Sequence, residues 1–261
     1  MTTETRLALL SWSEVAELDR DRTVAVLPTA AIEQHGPHLP LDTDTFLCTR
    51  VVEEAAARAR APVVVAPTLA YGSSAHHMGF PGTLTLRGTT FLTVLVEICG
   101  SLVEHGFRRL LLVNGHGGNS GLVREAVQQV SSGAPVLAAA VDYWALARET
   151  AAEVRDSPLG GMAHACEFET SLMLHLRPES VRRELIRREI PEPRFQAERL
   201  DLVSPSVVAA GWRTDELSSS GVLGAPDLAT AEKGERLFEA CVSGVSSVIE
   251  ELRSPPVPQT S

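Results

Sequence analysis

Residues 24–59 read VAVLPTAAIEQHGPHLPLDTDTFLCTRVVEEAAARA, and this stretch predicts the fold. Val24 to Leu27 is apolar at every position, which is typical of a strand that is buried on both faces. A polar loop rich in glycine and proline follows. From about Thr43 to Ala59 the spacing is that of a helix, with Asp42 or Thr43 as its N-cap. A buried strand, a loop and a helix in this order indicate one unit of an α/β fold.

The same alternation continues along the chain. Further apolar runs predict strands at Val63 to Ala66, Leu110 to Val113 and Val136 to Val141. Helices are predicted over Thr89 to Glu104, after Asn119, and over Glu169 to Leu176, Pro178 to Arg188 and Ala229 to Leu252. Strands that alternate with helices predict an α/β fold in which a mostly parallel sheet is covered by helices on both faces.

The last third of the chain is less regular. Residues 191–228 are rich in proline, glycine and serine, which predicts loops. Because the chain shows no internal repeat, residues 1–253 are interpreted as a single domain. The proline-rich segment 254–261 is expected to be a disordered tail.

Composition excludes several classes of function. The chain has 23 basic and 33 acidic residues, which gives a net charge of −10 and argues against nucleic acid or an anionic membrane as partner. No apolar run approaches the roughly 18 residues of a membrane span, and the N-terminus does not resemble a secretory signal. We therefore expect a cytoplasmic protein. The four cysteines form no CxxC pair, so neither a disulfide framework nor a zinc ribbon is predicted.

Three loops carry histidine together with carboxylates. Glu33 and His35 follow the first strand, and Asp44 stands at the start of the next helix. His116 follows the third strand within the sequence Asn-Gly-His-Gly-Gly-Asn, and His164 precedes two glutamates at the start of a helix. In open α/β sheets the loops at the carboxyl ends of the strands form the ligand site, so these side chains are expected to lie together.

Imidazole and carboxylate without thiolate are typical ligands of Zn, Mn or Fe. A site with two metal ions about 3.5–4 Å apart needs a bridging carboxylate, because the cations repel each other. Asp44 is the natural bridge, with Glu33 and His35 as ligands of one metal each. From spacing alone the sequence predicts a metallohydrolase.

Five ordered motifs resemble the creatininase family. They are Glu33-Gln-His-Gly-Pro-His-Leu-Pro-Leu-Asp-Thr-Asp44, Tyr71-Gly-Ser-Ser-Ala-His-His77 with Phe80-Pro-Gly-Thr83, Asn114-Gly-His-Gly-Gly-Asn119, His164-Ala-Cys-Glu-Phe-Glu-Thr-Ser171 and Gly221-Val-Leu-Gly-Ala-Pro226. The resemblance covers about residues 11 to 245. It implies a three-layer α/β/α fold, two divalent metal ions per subunit (Zn, Mn or Fe), hydrolysis of C–N amide bonds, and a homo-oligomer, often a hexamer.

The resemblance also implies ligand roles. Glu33 and His116 would bind one metal, His35 the other, and Asp44 both. Creatininase has a further glutamate ligand where this chain has Gly118, so we expect Glu167 to supply the missing carboxylate, with Glu169 as the alternative.

The expected activity is hydrolysis of a small or cyclic amide by a hydroxide that bridges the two metals, with His164 as general acid. Ser73, Ser74 and His77 are expected to orient the substrate, and Trp144 to line the pocket or pack in the core. Three alternatives stay open. They are a peptidase of the mycofactocin-precursor type, a deformylase acting on a nucleotide-derived formamide, and a scaffold without metal. The four ligands Glu33, His35, Asp44 and His116 count against the scaffold.

Overall fold

Four parallel strands form the central sheet of the computed structural model, which describes residues 4–204 and 206–258. The strands are β1 (Val24–Thr29), β2 (Val63–Val65), β3 (Arg109–Asn114) and β4 (Leu137–Asp142), in the order β2-β1-β3-β4. Val24 pairs with Val63 on one side and with Arg109 on the other. A short antiparallel pair, β5 (Met162–His164) and β6 (Leu223–Gly224), lies outside this sheet.

The helices connect the strands and complete the chain. They are α1 (Trp12–Ala16), α2 (Thr43–Arg58), α3 (Gly88–Glu104), α4 (Ser120–Gly133), α5 (Tyr143–Leu146), α6 (Arg148–Val154), α7 (Glu167–Leu176), α8 (Thr214–Leu217) and α9 (Ala231–Arg253). Short 3₁₀ turns lie at Leu7–Leu9, Ala75–His77, Gly117–Asn119, Pro178–Ser180, Arg183–Leu185 and Pro226–Leu228. Within the described residues, no helix is both long and apolar enough to cross a bilayer.

The two faces of the sheet bury separate apolar cores, which explains why its strands are apolar at every position. Val24 and Val26 pack with α2, α7 and α9, whereas Ala25 and Leu27 pack with α3 and α4. Successive residues of a strand point to opposite faces, so each face needs its own apolar residues. The predicted three-layer α/β/α fold with a mostly parallel sheet is confirmed.

The helix predicted over Pro178 to Arg188 is wrong. This segment forms two 3₁₀ turns, and between them the backbone N–H of Arg182 donates a hydrogen bond to the carbonyl of His38 at 2.9 Å. A backbone group that binds a distant loop cannot bond along a helix. The arginines also give this segment no apolar stripe to bury.

The segments predicted to be irregular are largely so. Among the described residues of 191–228, the regular elements are α8, β6 and the 3₁₀ turn Pro226–Leu228. Of the expected disordered tail, residues 259–261 lie outside the described part of the chain. Within its described part, the carbonyl of Pro255 accepts a hydrogen bond from Arg109 at 2.8 Å. Disorder of the tail stays a prediction.

Gly234 marks the closest approach of α9 to α7. A Cβ at this position would lie 1.9 Å from the carbonyl oxygen of Ser171, whereas a Cβ at Gly100 in α3 meets nothing within 4 Å. We expect Gly234→Ala to lower the free energy of unfolding by about 1–3 kcal/mol, because the two helices must separate. Gly100→Ala is the matched control and should raise it by up to about 1 kcal/mol through helix propensity. Chemical denaturation of both variants checks this, and equal effects would contradict the packing argument.

Candidate metal centre

The candidate ligands come from loops and helix starts at the carboxyl ends of the central strands and from β5 and α7. Glu33 and His35 lie in the loop after β1, and Asp44 lies in the first turn of α2. The Glu33 N–H donates a hydrogen bond to the Leu41 carbonyl at 3.0 Å, which folds this loop back towards α2. The side chains of Glu33, His35 and Asp44 are all buried.

Asn114, the last residue of β3, shapes the turn that presents His116. Its side-chain oxygen accepts the His116 N–H at 3.1 Å, and its amide nitrogen donates to the His116 carbonyl at 2.8 Å. The same amide donates to Asp142 at the end of β4 at 2.7 Å. One asparagine therefore fixes the His116 backbone and ties two neighbouring strands together.

Three ligand atoms converge on one side of Asp44. His116 Nδ1 lies 3.2 Å from Glu33 Oε1 and 3.1 Å from Asp44 Oδ2. His116 Nε2 donates towards the Ser73 carbonyl at 3.1 Å and lies 3.2 Å from Ser74 Oγ. A proton on Nε2 leaves the Nδ1 lone pair directed at the two carboxylates, as a metal-binding imidazole requires.

The other side of Asp44 carries a second group of ligand atoms. His35 Nε2 lies 3.0 Å from Asp44 Oδ1 and 3.7 Å from Glu169 Oε1. His35 Nδ1 donates to the Glu33 carbonyl at 3.2 Å, which leaves the lone pair of Nε2 facing the carboxylates. The two oxygens of Asp44 are thus divided between two histidines.

The electrostatics of this cluster fit cations. Glu33 Oε2 and Asp44 Oδ2 are buried and accept no hydrogen bond from any described residue. Burial raises the pKa of Glu33. Burial opposes charge on His116 and His35, yet the adjoining carboxylates raise the pKa of His116 to about 10 and that of His35 well above its usual value. Buried carboxylates that draw positive charge onto two imidazoles have the chemistry of a site for divalent metal.

Glu167 does not belong to this cluster, so the preference for it as a ligand is corrected. Its carboxylate is fully buried and accepts a hydrogen bond from Lys233 Nζ at 2.5 Å and from the N–H groups of Asp156 and Ser157, each at 3.1 Å. Both oxygens are therefore occupied. Glu169 is the carboxylate of α7 that faces His35.

Glu169 serves the helix and the cluster together. Its Oε2 accepts the Cys166 N–H at 3.2 Å and so caps α7, while its Oε1 faces His35. The two oxygens of one carboxylate allow both.

Gly118 leaves no room for a side chain beside His116. A Cβ at this position would lie 2.3 Å from the Ser73 carbonyl oxygen and 2.5 Å from His116 Nε2. No side chain fits there while His116 keeps its hydrogen bonds. A glutamate at position 118 would therefore displace the Ser73 carbonyl that accepts the hydrogen bond of His116.

The residues expected to orient substrate lie close to the ligands, and of these His77 lines the cavity. Ser73 and Ser74 contact His116 and do not line the cavity. His77 Nε2 lies 3.2 Å from Glu33 Oε1, and its Nδ1 lies 2.8 Å from both Gln34 Nε2 and Thr214 Oγ1. These contacts indicate that His77 steadies Glu33.

His164 lies beside the cluster. Its ring packs against those of His35 and His77, with centroids 4.4 and 4.2 Å apart. Its Nε2 donates to the Gln34 carbonyl at 2.7 Å, and its Nδ1 lies 3.7 Å from Glu33 Oε1. Burial and the neighbouring His35 lower the pKa of His164 well below its usual value.

A cavity of about 430 Å³ opens onto the ligands. Trp144 lines this cavity and also packs in the apolar core. Sequence reasoning missed two neighbours of the cluster, Gln34 and Trp212. Gln34 holds His77; the His76 ring stacks on His116 at 5.6 Å, and Trp212 meets His76 edge-on at 5.0 Å. A tryptophan in an otherwise small and polar loop was the available signal for Trp212.

A known protein family matches the part of the chain that contains these ligands. The family model described as "Creatininase: Creatinine amidohydrolase" matches residues 8–249. The chain belongs to the creatininase family. Membership makes it a metal-dependent hydrolase that acts on carbon–nitrogen bonds.

The relatives differ in their substrates. The chain is 38% identical over 231 residues to the mycofactocin precursor peptide peptidase of Mycobacterium tuberculosis, covering 83% of this chain and 80% of the relative. It is 31% identical over 258 residues to the creatinine amidohydrolase of Pseudomonas putida, covering 93% and 95%. Among solved structures, "Creatininase Mn" and a mutant creatininase of "Zn-Zn type" each match with a TM-score of 0.81 and 29% identity, covering 97% of this chain and 100% of theirs.

Asp44 contacts both ligand groups, so its loss should empty both. We expect Asp44→Ala to reduce the bound metal, measured by elemental analysis, to nearly none. Asp42→Ala is the control, since Asp42 lies two residues earlier but pairs with Arg177. Full metal content in Asp44→Ala would contradict a shared role.

Glu169 and Glu167 make a second matched pair. Glu169→Gln should lose about one metal ion per chain, because Glu169, and not Glu167, lies beside His35. Glu167→Gln should keep its metal but lower the free energy of unfolding by about 1–3 kcal/mol, since Lys233 loses a buried partner. Elemental analysis with thermal denaturation separates the two effects. Metal loss in Glu167→Gln alone would reverse our assignment.

Proposed function

We propose that the chain is a dinuclear amidohydrolase, with Asp44 shared between two metal ions. The observation that carries this proposal is the division of Asp44, whose Oδ1 lies 3.0 Å from His35 Nε2 and whose Oδ2 lies 3.1 Å from His116 Nδ1. Glu33 and His116 would complete one site, and His35 and Glu169 the other. Zn²⁺ or Mn²⁺ held there supplies the acidity that makes water a nucleophile at neutral pH.

The surrounding residues hold the ligands and control protons. The Gln34 carbonyl accepts the His164 Nε2 proton, and the Gln34 side-chain amide nitrogen lies 3.0 Å from the same nitrogen. His164 Nδ1 is thereby left free on the side of Glu33. The lowered pKa of this buried ring keeps it neutral at rest and favours release of any proton that it takes up. Nδ1 would therefore hold the proton lost by water only briefly before it gives this proton to the leaving nitrogen.

Aromatic and apolar residues also line the cavity. They include Tyr143 and Trp144 of α5, which follows β4, and Trp212 and Leu200 from the irregular segment. Such a wall excludes water from the reacting centre and accepts an apolar part of the substrate.

A peptide amide is the substrate class we favour over a small cyclic amide. The identity of 38% to a precursor peptide peptidase, against 31% to a creatinine amidohydrolase, supports this choice. Gly118 supports it as well, since the expected position of the creatininase glutamate is closed here to any side chain. The homo-oligomer and the cytoplasmic location stay predictions.

Metal titration tests the proposed function. Protein stripped with a chelator is loaded stepwise with Zn²⁺ or Mn²⁺ and assayed on short peptides, creatinine and a formamide, with Asp44→Ala as the blank. We expect peptide hydrolysis to reach its maximum at two metal ions per chain. A maximum at one ion would reject the dinuclear site, and hydrolysis of creatinine or the formamide alone would reject the peptide assignment.

His164→Ala tests the proton-transfer role. The variant should keep its metal content while the rate of hydrolysis falls by about 10²–10⁴, the usual size of general acid–base assistance. His175→Ala is the control, because that histidine lies in the same region of the chain but packs against Phe238. Collapse of the metal content in His164→Ala would instead make His164 a ligand.

A further inference from the structure

The cavity has a single strongly basic residue. Arg199 is the only lysine or arginine among the described residues that line it, and these also include the carboxylates Glu33, Asp44, Glu169 and Asp201. The first three lie at the candidate metal centre. Their charge is therefore assigned to the metals and does not balance Arg199.

Asp201, the fourth carboxylate, is already satisfied. Its side chain is fully buried and pairs with Arg155. It also accepts hydrogen bonds from the N–H groups of Gly160, Val203 and Ser204 at 2.9, 3.2 and 3.0 Å. Asp201 therefore does not require an ion pair with Arg199, although the two residues are only two positions apart in the sequence.

The Arg199 backbone is held while its side chain is free. Its N–H donates to Ser206 Oγ, and that hydroxyl donates to the Ala197 carbonyl, each at 3.2 Å. The exposed Arg199 guanidinium forms no hydrogen bond or ion pair with any described residue. A fixed turn therefore presents an uncommitted cation to the cavity.

Neighbouring arginines show that acidic partners are available in this region. Arg194 pairs with Glu198, the residue directly before Arg199, and Arg213 pairs with Asp215. Glu198 is buried and committed to Arg194. Arg199 is thus left without a partner in the segment where other arginines have one.

We propose that Arg199 binds a carboxylate of the substrate and so determines specificity. This inference rests on the proposed amide hydrolysis and adds that the substrate carries a negative charge close to the scissile amide. A guanidinium matches a carboxylate through paired hydrogen bonds, and such charge-assisted bonds are stronger than neutral ones. The carboxylate belongs either to the end of a peptide or to an acidic side chain, which share this chemistry.

Three acetylated peptides distinguish these sources. They are acetyl-Ala-Ala with a free carboxylate, acetyl-Ala-Ala-amide, and acetyl-Ala-Glu-amide. Their dissociation constants are measured by calorimetry and their kcat and KM by hydrolysis, on the metal-loaded wild type, Arg199→Ala, Arg199→Lys and Arg183→Ala. Arg183 is a matched control because it is also exposed and without a side-chain partner among the described residues, but lies outside the cavity.

We expect the wild type to bind one or both acidic peptides about tenfold more tightly than acetyl-Ala-Ala-amide, the size of one charge-assisted hydrogen bond. The preference should be lost in Arg199→Ala, be partly kept in Arg199→Lys, and remain in Arg183→Ala, with the change in KM and not in kcat. A free-acid preference indicates a chain end, and a preference for the glutamate peptide indicates a side chain.

Two results would overturn the proposal. One is equal binding of the acidic and neutral peptides by the wild type. The other is a preference that survives in Arg199→Ala, since the carboxylate would then be bound by the metals. Failure of the proposed function gives a different result. In that case the wild type and all variants would hydrolyse none of the peptides, even those that they bind.

Discussion

The burial of three carboxylates at one point is the constraint on which the rest of the site depends. Glu33, Asp44 and Glu169 come from three segments of the chain and are all removed from water. Each buried ion costs several kcal/mol unless an opposite charge lies beside it. The contacts around them direct imidazoles and carboxylate oxygens to two points on either side of Asp44, where the divalent cations that we propose would offset that cost.

Much of the fold and part of the site could be predicted, because both depend on the local pattern of apolar and polar residues along the chain. Strands that are apolar on both faces require helices on both faces, so β1 and β3 predicted three layers. The strand ends then determined the loops in which ligands could lie. Glu33 and Asp44 were predicted to lie together in this way, because the loops that follow parallel strands meet at one edge of the sheet.

The errors arose where a distant residue decides an orientation. Glu167 and Glu169 stand two positions apart at the start of α7 and therefore point in different directions. Which one faces the cluster depends on Lys233, a residue of α9 that binds the Glu167 carboxylate from 66 positions away. Likewise, the backbone N–H of Arg182 donates a hydrogen bond to the carbonyl of His38, which is distant in sequence. Neither contact leaves a periodic signal in the sequence.

The site has two parts, a floor of candidate metal ligands and a wall of other residues that line the cavity, and we expect the wall to determine specificity. The floor consists of the candidate ligands held by the loops of the central sheet, and the chain is similar over most of its length to relatives named for peptide and for creatinine hydrolysis. Metal ligands alone therefore do not determine which amide is bound. That choice must depend on the wall, where Trp212 and Arg199 stand on a segment held by its own hydrogen bonds, such as that from Arg194 to the Gly211 carbonyl. Because this segment is irregular, its sequence pattern does not indicate a role in substrate choice. That role is inferred from the cavity that its residues line.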